Sequence, residues 1–480
     1  MGNEARMSLS RRSFIGIAGV ASVAAAMTGL AGCSSNSGGS SDKKEEAPKK
    51  VADGLSKMSW DDVLAEAKGG QVTFCAWDTD VMVKQWWDSL ATYVKDNYDI
   101  EIVYVPDDAA NEQKILTDIE NGGDATIDMF WGMGSKMSRY LEKDGLFQEE
   151  WFKFLPNYKY FDESDDRVVF DGTQKTNGAE APFQTLNPSL VYSKDKWNKD
   201  LAWDESKGDV SGLFHNFTEL YQWVQKNPGK FTYMDLNGAG AFHAQCFLRA
   251  ALAELTDNGS GGWKAVYDES DDEKTRQKKI ADNNKAWYEW LQTSEATEDA
   301  FYSKAAYLWA YLNDLKPYLL QGDGGPLYAA DASTMMSYVM SGDLACTFTT
   351  CTSISSRIEA NPSSYMTNPQ IYMMQTSIGI WDYVVITNNS QNKAAALVVA
   401  NAMIDPEQQA LAFETTGNGY NVSYDKLESD QKTAFDDVFA GFIDGTSPSA
   451  EEIASCSYPD TTGKVNAWMV TGWDQKVNKA

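Results

Sequence analysis

Histidine is nearly absent from this chain. Only His215 and His243 occur in 480 residues, too few for an obvious histidine-based metal site. No GxSxG, HExxH or P-loop signature is present, and neither histidine has a local spacing that supports a Ser-His-Asp triad. Asp162, Ser164 and Asp166, like Asp268, Ser270 and Asp272, have the 1-3-5 spacing of a calcium loop, but the sixth position holds Arg167 or Glu273 instead of glycine. Both therefore read as solvated acidic loops. Past residue 33 no apolar run is long enough to span a membrane, and no internal repeat is visible. Positive charge is also short, with 41 Lys plus Arg against 69 Asp plus Glu. A surface of that sign repels nucleic acid and anionic headgroups, so neither is an expected partner.

The N-terminus is the exception to both shortages. Arg11 and Arg12 stand ahead of an uncharged Ala/Gly-rich run that closes on Leu30-Ala31-Gly32-Cys33. Paired arginines before a mildly apolar run resemble a twin-arginine export signal, and the ending resembles a lipoprotein cleavage box. In that reading the chain is cut at Gly32-Cys33 and the Cys33 sulfur carries lipid, which anchors the protein without spanning the membrane. The alternative is a permanent N-terminal membrane helix. Cleavage removes Arg6, Arg11, Arg12 and Glu4, leaving 38 Lys plus Arg against 68 Asp plus Glu, a net charge of −30. Of six cysteines, five then remain (Cys75, Cys246, Cys346, Cys351, Cys456), so at least one is unpaired within the chain. Cys346 and Cys351 either pair in an oxidising compartment or serve as small buried apolar residues.

About 450 mature residues exceed one ordinary core, so two lobes are expected. Residues 33–58 are Ser/Gly-rich and then charged, a tether with too little apolar surface to fold. From Ser59 onward strands and helices alternate. Ser59 caps a short helix, QVTFCAW (71–77) is a strand, and a helix follows with Val83, Trp86 or Trp87, Leu90 and Val94 on its apolar face. IEIVYV (100–105) and IDMFW (127–131) are further strands, separated by a helix over 111–121. Such alternation predicts a doubly wound parallel sheet, with ligands beyond the carboxyl ends of the strands. Further on, Thr218 is expected to cap a helix, 231–233 to form a short strand, and the charge-dense 256–283 an exposed loop. GIWDYVVIT (379–387) reads as a strand, 393–404 as an apolar helix, and Asp405-Pro406 as an N-cap followed by an N1 proline.

Aromatics are the positive signal. Sixteen tryptophans occur, and Trp77, Trp131 and Trp381 each end or interrupt an expected strand. A tryptophan there either stacks on a sugar face or a cation, or packs one lobe. Trp86, Trp223 and Trp287, at helical spacing, read as core.

Several motifs in order, DMFWG (128–132), LPNY (155–158), Ala181–Phe183 with Leu190–Ser193, NPGKFTY (227–233) and KAAALVVANAMIDPEQQALA (393–412), resemble the extracellular solute-binding proteins of ABC importers, family 1, and within them the YnjB-type group. The likeness spans nearly all of 59–480 and departs in 257–283 and at Cys346 and Cys351. It implies a type II periplasmic-binding fold of two α/β lobes joined by a hinge, with lobe one at 59–182 plus 372–390 and lobe two at 183–371 plus 391–480. It also implies a monomer without catalytic activity or cofactor, closing on a small solute that ABC permease subunits then receive. By position in that fold the cleft candidates are Trp77, Asp78, Thr79, Trp131, Gly132, Phe183, Gln184, Phe242, Thr349, Thr350 and Trp381. A sugar and a cationic metabolite such as thiamine or a polyamine both remain open as cargo. A secreted surface hydrolase, and a receptor or adhesin on the same scaffold, are the competing readings.

Overall fold

The computed structural model describes residues 54–77, 80–132, 138–141, 145–172, 174–195, 214–460 and 463–479. Arg11, Arg12, Cys33 and the tether through residue 50 lie outside the described residues, as do the cleft candidates Asp78 and Thr79.

The first third of the chain folds as its periodicity dictates. Ser59 and Asp62 form a capping box on the Trp60–Ala67 helix. The uncharged strand β1 (Gln71–Ala76) follows, and Asp80 then accepts the backbone N–H groups of Met82 and Val83 to start the Val81–Tyr98 helix. That helix buries Val83, Trp86, Trp87, Leu90 and Val94, one stripe at helical spacing. β2 (Glu101–Pro106) and β3 (Met129–Gly132) lie parallel to β1 on either side. β4 (Glu180–Leu186) belongs to the same sheet, and the chain then passes through Asn187-Pro188 into β5 (Ser189–Ser193) of a second sheet. β6 (Cys346–Thr349) and β7 (Pro369–Tyr372) flank β5 antiparallel. Residues 373–376 return the chain to β8 (Ser377–Ile386), which runs antiparallel to both β3 and β4, and β9 (Ser457–Pro459) pairs in parallel with its first residues. The order β2-β1-β3-β8, three parallel strands and one antiparallel, is a type II periplasmic-binding arrangement. All ten residues of β8 are buried, as befits a strand covered on both faces.

Two main cores fill the two lobes. One gathers Trp86, Trp87, Trp131, Phe183 and Val384 around sheet one; the other gathers Tyr192, Phe217, Tyr233, Phe247, Trp287 and Trp473 around sheet two. The lobe boundaries differ from the sequence expectation. Phe183 packs in lobe one, so the chain changes lobes at Asn187-Pro188. The Lys393–Met403 helix, with Ala394 through Met403 all buried, also packs in lobe one, together with Phe413, Phe435 and Val438. The apolar helix returns to the lobe-one core because that is where a helix without a polar face finds cover. Only the tail, with Tyr458, Val465, Met469 and Trp473, joins lobe two.

Three local expectations also change. Asn216, not Thr218, caps the Phe217–Lys226 helix through the Glu219 N–H. Residues 231–233 form no strand; the neighbouring Met234 makes one isolated bridge to Ala329. The 256–283 stretch is ordered: Leu255–Asp257 pairs with Trp263–Ala265, and Asp272 caps a helix over Glu273–Leu291. Its first half is charged because only Ile280, Asn284, Trp287 and Leu291 face the core. Asp271 pairs with Lys279 at 2.6 Å, so this acidic loop serves as a helix entry. The five cysteines from Cys75 to Cys456 are buried, and Cys346 and Cys351 are not joined in a disulfide.

Candidate ligand cleft

The crossing from β4 to β5 and the return from β7 to β8 place two buried backbone segments side by side between the lobes. Their polar groups are tied to a third segment, 417–421. The Thr185 and Gly419 backbones exchange 2.8 Å hydrogen bonds, and Gln184 donates to Asp382 at 2.7 Å and accepts from Asn418 at 2.9 Å. Asn187 donates to Thr352 at 2.7 Å. Gly417, with φ +70°, must be glycine here, since a Cβ would collide with the Ser353 carbonyl.

The lobes meet at two further points. The Arg357 guanidinium of lobe two reaches the helix-capping Asp80 of lobe one at 2.9 Å and also donates to Cys351 Sγ at 3.1 Å. Tyr288 donates to the Gly172 carbonyl at 2.9 Å.

Two small cavities lie along the crossing strand, the first at the junction of the lobes and the second within the lobe-two core. One, of about 20 Å³, lies against Gly379, Ile380, Trp381 and Tyr383 and is walled by Arg167, Asp171 and Asp460. The second, of about 30 Å³, lies against residues 374–378, with Ser189, His243, Phe247 and Thr349 among its walls. Each has room for about one water molecule. In the first, the Arg167 guanidinium stands 4.2 Å from the Trp381 ring centroid and forks onto Asp165 at 2.7 and 2.9 Å. Asp460 holds the buried Arg249 guanidinium. Glu180 lies in the sheet behind Asp171, fully buried, and neither carboxyl oxygen has a hydrogen-bond partner among the described residues. Burial, and then Asp171, hold its carboxyl well above the carboxylate range. In the second cavity, burial pushes His243 down to about 4, so its ring is neutral at pH 7.

The candidate residues divide between cavity and core. Trp381 lines the first cavity and Thr349 the second. Trp131 and Phe183 lie in the lobe-one core with ring centroids 5.3 Å apart, and the half-buried Trp77 leans on Trp131 at 6.0 Å. Gly132 ends β3 opposite Tyr383. Gln184 is held in the hinge network, and the Thr350 carbonyl accepts from the Asn187 N–H. Phe242 is half-buried against His243. Sequence reasoning missed Arg167, Asp171, Glu180, Tyr383 and Asp460. The only signal available was the alternation in GIWDYVVIT, which puts Trp381 and Tyr383 on one face.

A buried carboxyl also marks the hinge. Glu254 accepts the Phe217 N–H (2.8 Å), the Thr376 hydroxyl (2.6 Å) and the Tyr267 hydroxyl (3.2 Å). Burial outweighs these donors and raises its pKa to about 7. Because the native value lies above the unfolded one, the group's stabilisation is complete below about pH 4.5 and is lost as pH rises through 7. That change is about 3 kcal/mol. Urea unfolding of wild type and Glu254→Gln at pH 5 and pH 8 should show the wild type losing more stability on going to pH 8. Equal losses would refute the assignment.

Comparison with known proteins supplies the family. Residues 88–434, well over half the chain, match the family model described as bacterial extracellular solute-binding protein. Protein YnjB of Escherichia coli K12 is 24% identical over 355 residues, 73% of this chain and 78% of that protein. An extracellular solute-binding protein of Bordetella parapertussis aligns with TM-score 0.53 and 12% identity over 85% of this chain and 98% of its own. An ABC transporter protein of Clostridium perfringens aligns with TM-score 0.51 and 12% identity, over 85% and 100%. These structures share the fold. With its crossing strands and paired lobes, this chain belongs to the bacterial extracellular solute-binding protein family.

Proposed function

We propose that the protein captures a small solute between its lobes and delivers it to an ABC import permease, held at the outer face of the cytoplasmic membrane by lipid on Cys33. The observation that carries this reading is the convergence of aromatic and charged side chains on a two-strand crossing between α/β lobes. Such a crossing can flex while each core stays packed, so a solute that touches both lobes favours the closed state. The protein does no chemistry on its cargo. Trp381 and Thr349 are its first candidate contacts, and opening of the lobes would bring Trp77, Gly132, Phe242 and Thr350 within reach of the solute.

The test is thermal unfolding of the full chain, freed of retained solute, against sugars, cationic metabolites and amino acids. One chemical class should raise the midpoint, since a solute at one hundred times its dissociation constant adds about 2.7 kcal/mol. No shift across these panels would overturn capture. Turnover of any of them would favour the hydrolase reading. For the anchor, Cys33→Ser should release the protein from the membrane fraction; unchanged membrane association would overturn the lipid.

A further inference from the structure

Resting on the capture reading, we infer that the cargo is an organic cation whose charged nitrogen sits on the face of Trp381, beside the Asp171–Glu180 carboxyl pair, in the place that Arg167 now holds. The cavity there is walled by the Trp381 and Tyr383 rings and by the Asp171 carboxyl, with Asp460 already engaged by Arg249, a chemistry that suits an ammonium or guanidinium group. A cation already occupies the ring face, and it is the protein's own: the Arg167 guanidinium, 4.2 Å from the Trp381 centroid. Its hold is weak. The Arg167 and Asp165 side chains are 39% and 31% exposed, and ion pairs in that setting contribute little, so the guanidinium can swing out to water with its carboxylate.

The second observation lies in the sheet behind. Glu180 is opposite Val385, and Pro182 is opposite Tyr383, so Glu180 shares a sheet face with the cavity-lining Tyr383. Its carboxyl is fully buried and bonded to nothing among the described residues. On the opposite face the equally buried Asp382 receives the Gln184 amide. A buried carboxyl without donors is costly to ionise, and a cation brought to the adjoining cavity would lower that cost.

The experiment measures unfolding midpoints and dissociation constants of the full chain in detergent with spermidine, thiamine and choline, with maltose and galactose, and with glucose 6-phosphate. At least one of the cations should bind. Trp381→Leu and Asp171→Asn should each weaken it by roughly tenfold or more. Arg167→Gln, which removes a like charge and a competitor, should tighten it several-fold. That half-exposed position also keeps the test alive if the buried variants fold poorly. Binding of a sugar or the sugar phosphate with no cation bound would overturn the cargo class and leave capture standing. Cation binding that ignores Trp381→Leu and Asp171→Asn, or that weakens in Arg167→Gln, would overturn the placement. No binding by any probe would overturn both readings.

Discussion

Replacing Arg249 with alanine should lower the free energy of unfolding by about 3–5 kcal/mol, measured by urea denaturation at pH 7. Arg249 sits in the Ala241–Glu254 helix, whose residues from Cys246 to Glu254 are all buried. Its guanidinium meets the Asp460 carboxylate, and its other N–H groups reach the Gln245 carbonyl at 3.3 Å and Cys246 Sγ at 3.4 Å. The pair's side chains are only 1% and 11% exposed, so truncating the arginine leaves a carboxylate in a dry site without its countercharge, beside a new cavity. The double variant Arg249→Met/Asp460→Leu removes both charges and should lose less than Arg249→Ala alone. A single-variant loss below about 1 kcal/mol would show that water reaches the pair.

Trp131→Ala should cost about as much, about 3–5 kcal/mol, because it empties the centre of lobe one. Trp131 has no exposed surface, and its ring lies 5.5 Å from Trp87, 5.3 Å from Phe183 and 6.0 Å from Trp77. Edge-to-face contacts of this kind add to the area term. Its indole N–H has no hydrogen-bond partner among the described residues, so Trp131→Phe removes an unsatisfied donor while keeping most of the rings' contact. That variant should lose less than half as much. If Trp131→Ala instead kept its stability and lost affinity for the solute, the ring would belong to the cleft and not to the core.

Residues that act through local periodicity were legible in the sequence. Ser59 and Asp405 cap the helices they precede, and the stripe Val83, Trp86, Leu90 and Val94 faces inward. The Glu273–Leu291 helix was hidden because its buried positions are few and its exposed ones crowded with charge. Their place at or within expected strands singled out Trp77, Trp131 and Trp381, of which Trp381 lies mid-strand in β8, but strand position does not say which side of the sheet will be covered. The packing of the Val81–Tyr98 helix put Trp131 in the core, while Trp381 met Arg167.

By itself the sequence determined the alternation of strands and helices, the two-lobe design and the family likeness, because each rests on short-range pattern or on motifs in order. Only the tertiary structure decided that residues 393–438 belong to lobe one, that Arg249 meets Asp460, and that Arg167, Asp171, Glu180, Trp381 and Tyr383 converge. The partners in those contacts are as much as 216 residues apart in the chain. No local periodicity encodes such a pairing; it arises when elements distant in sequence pack together, and burial then fixes which charges must find one another.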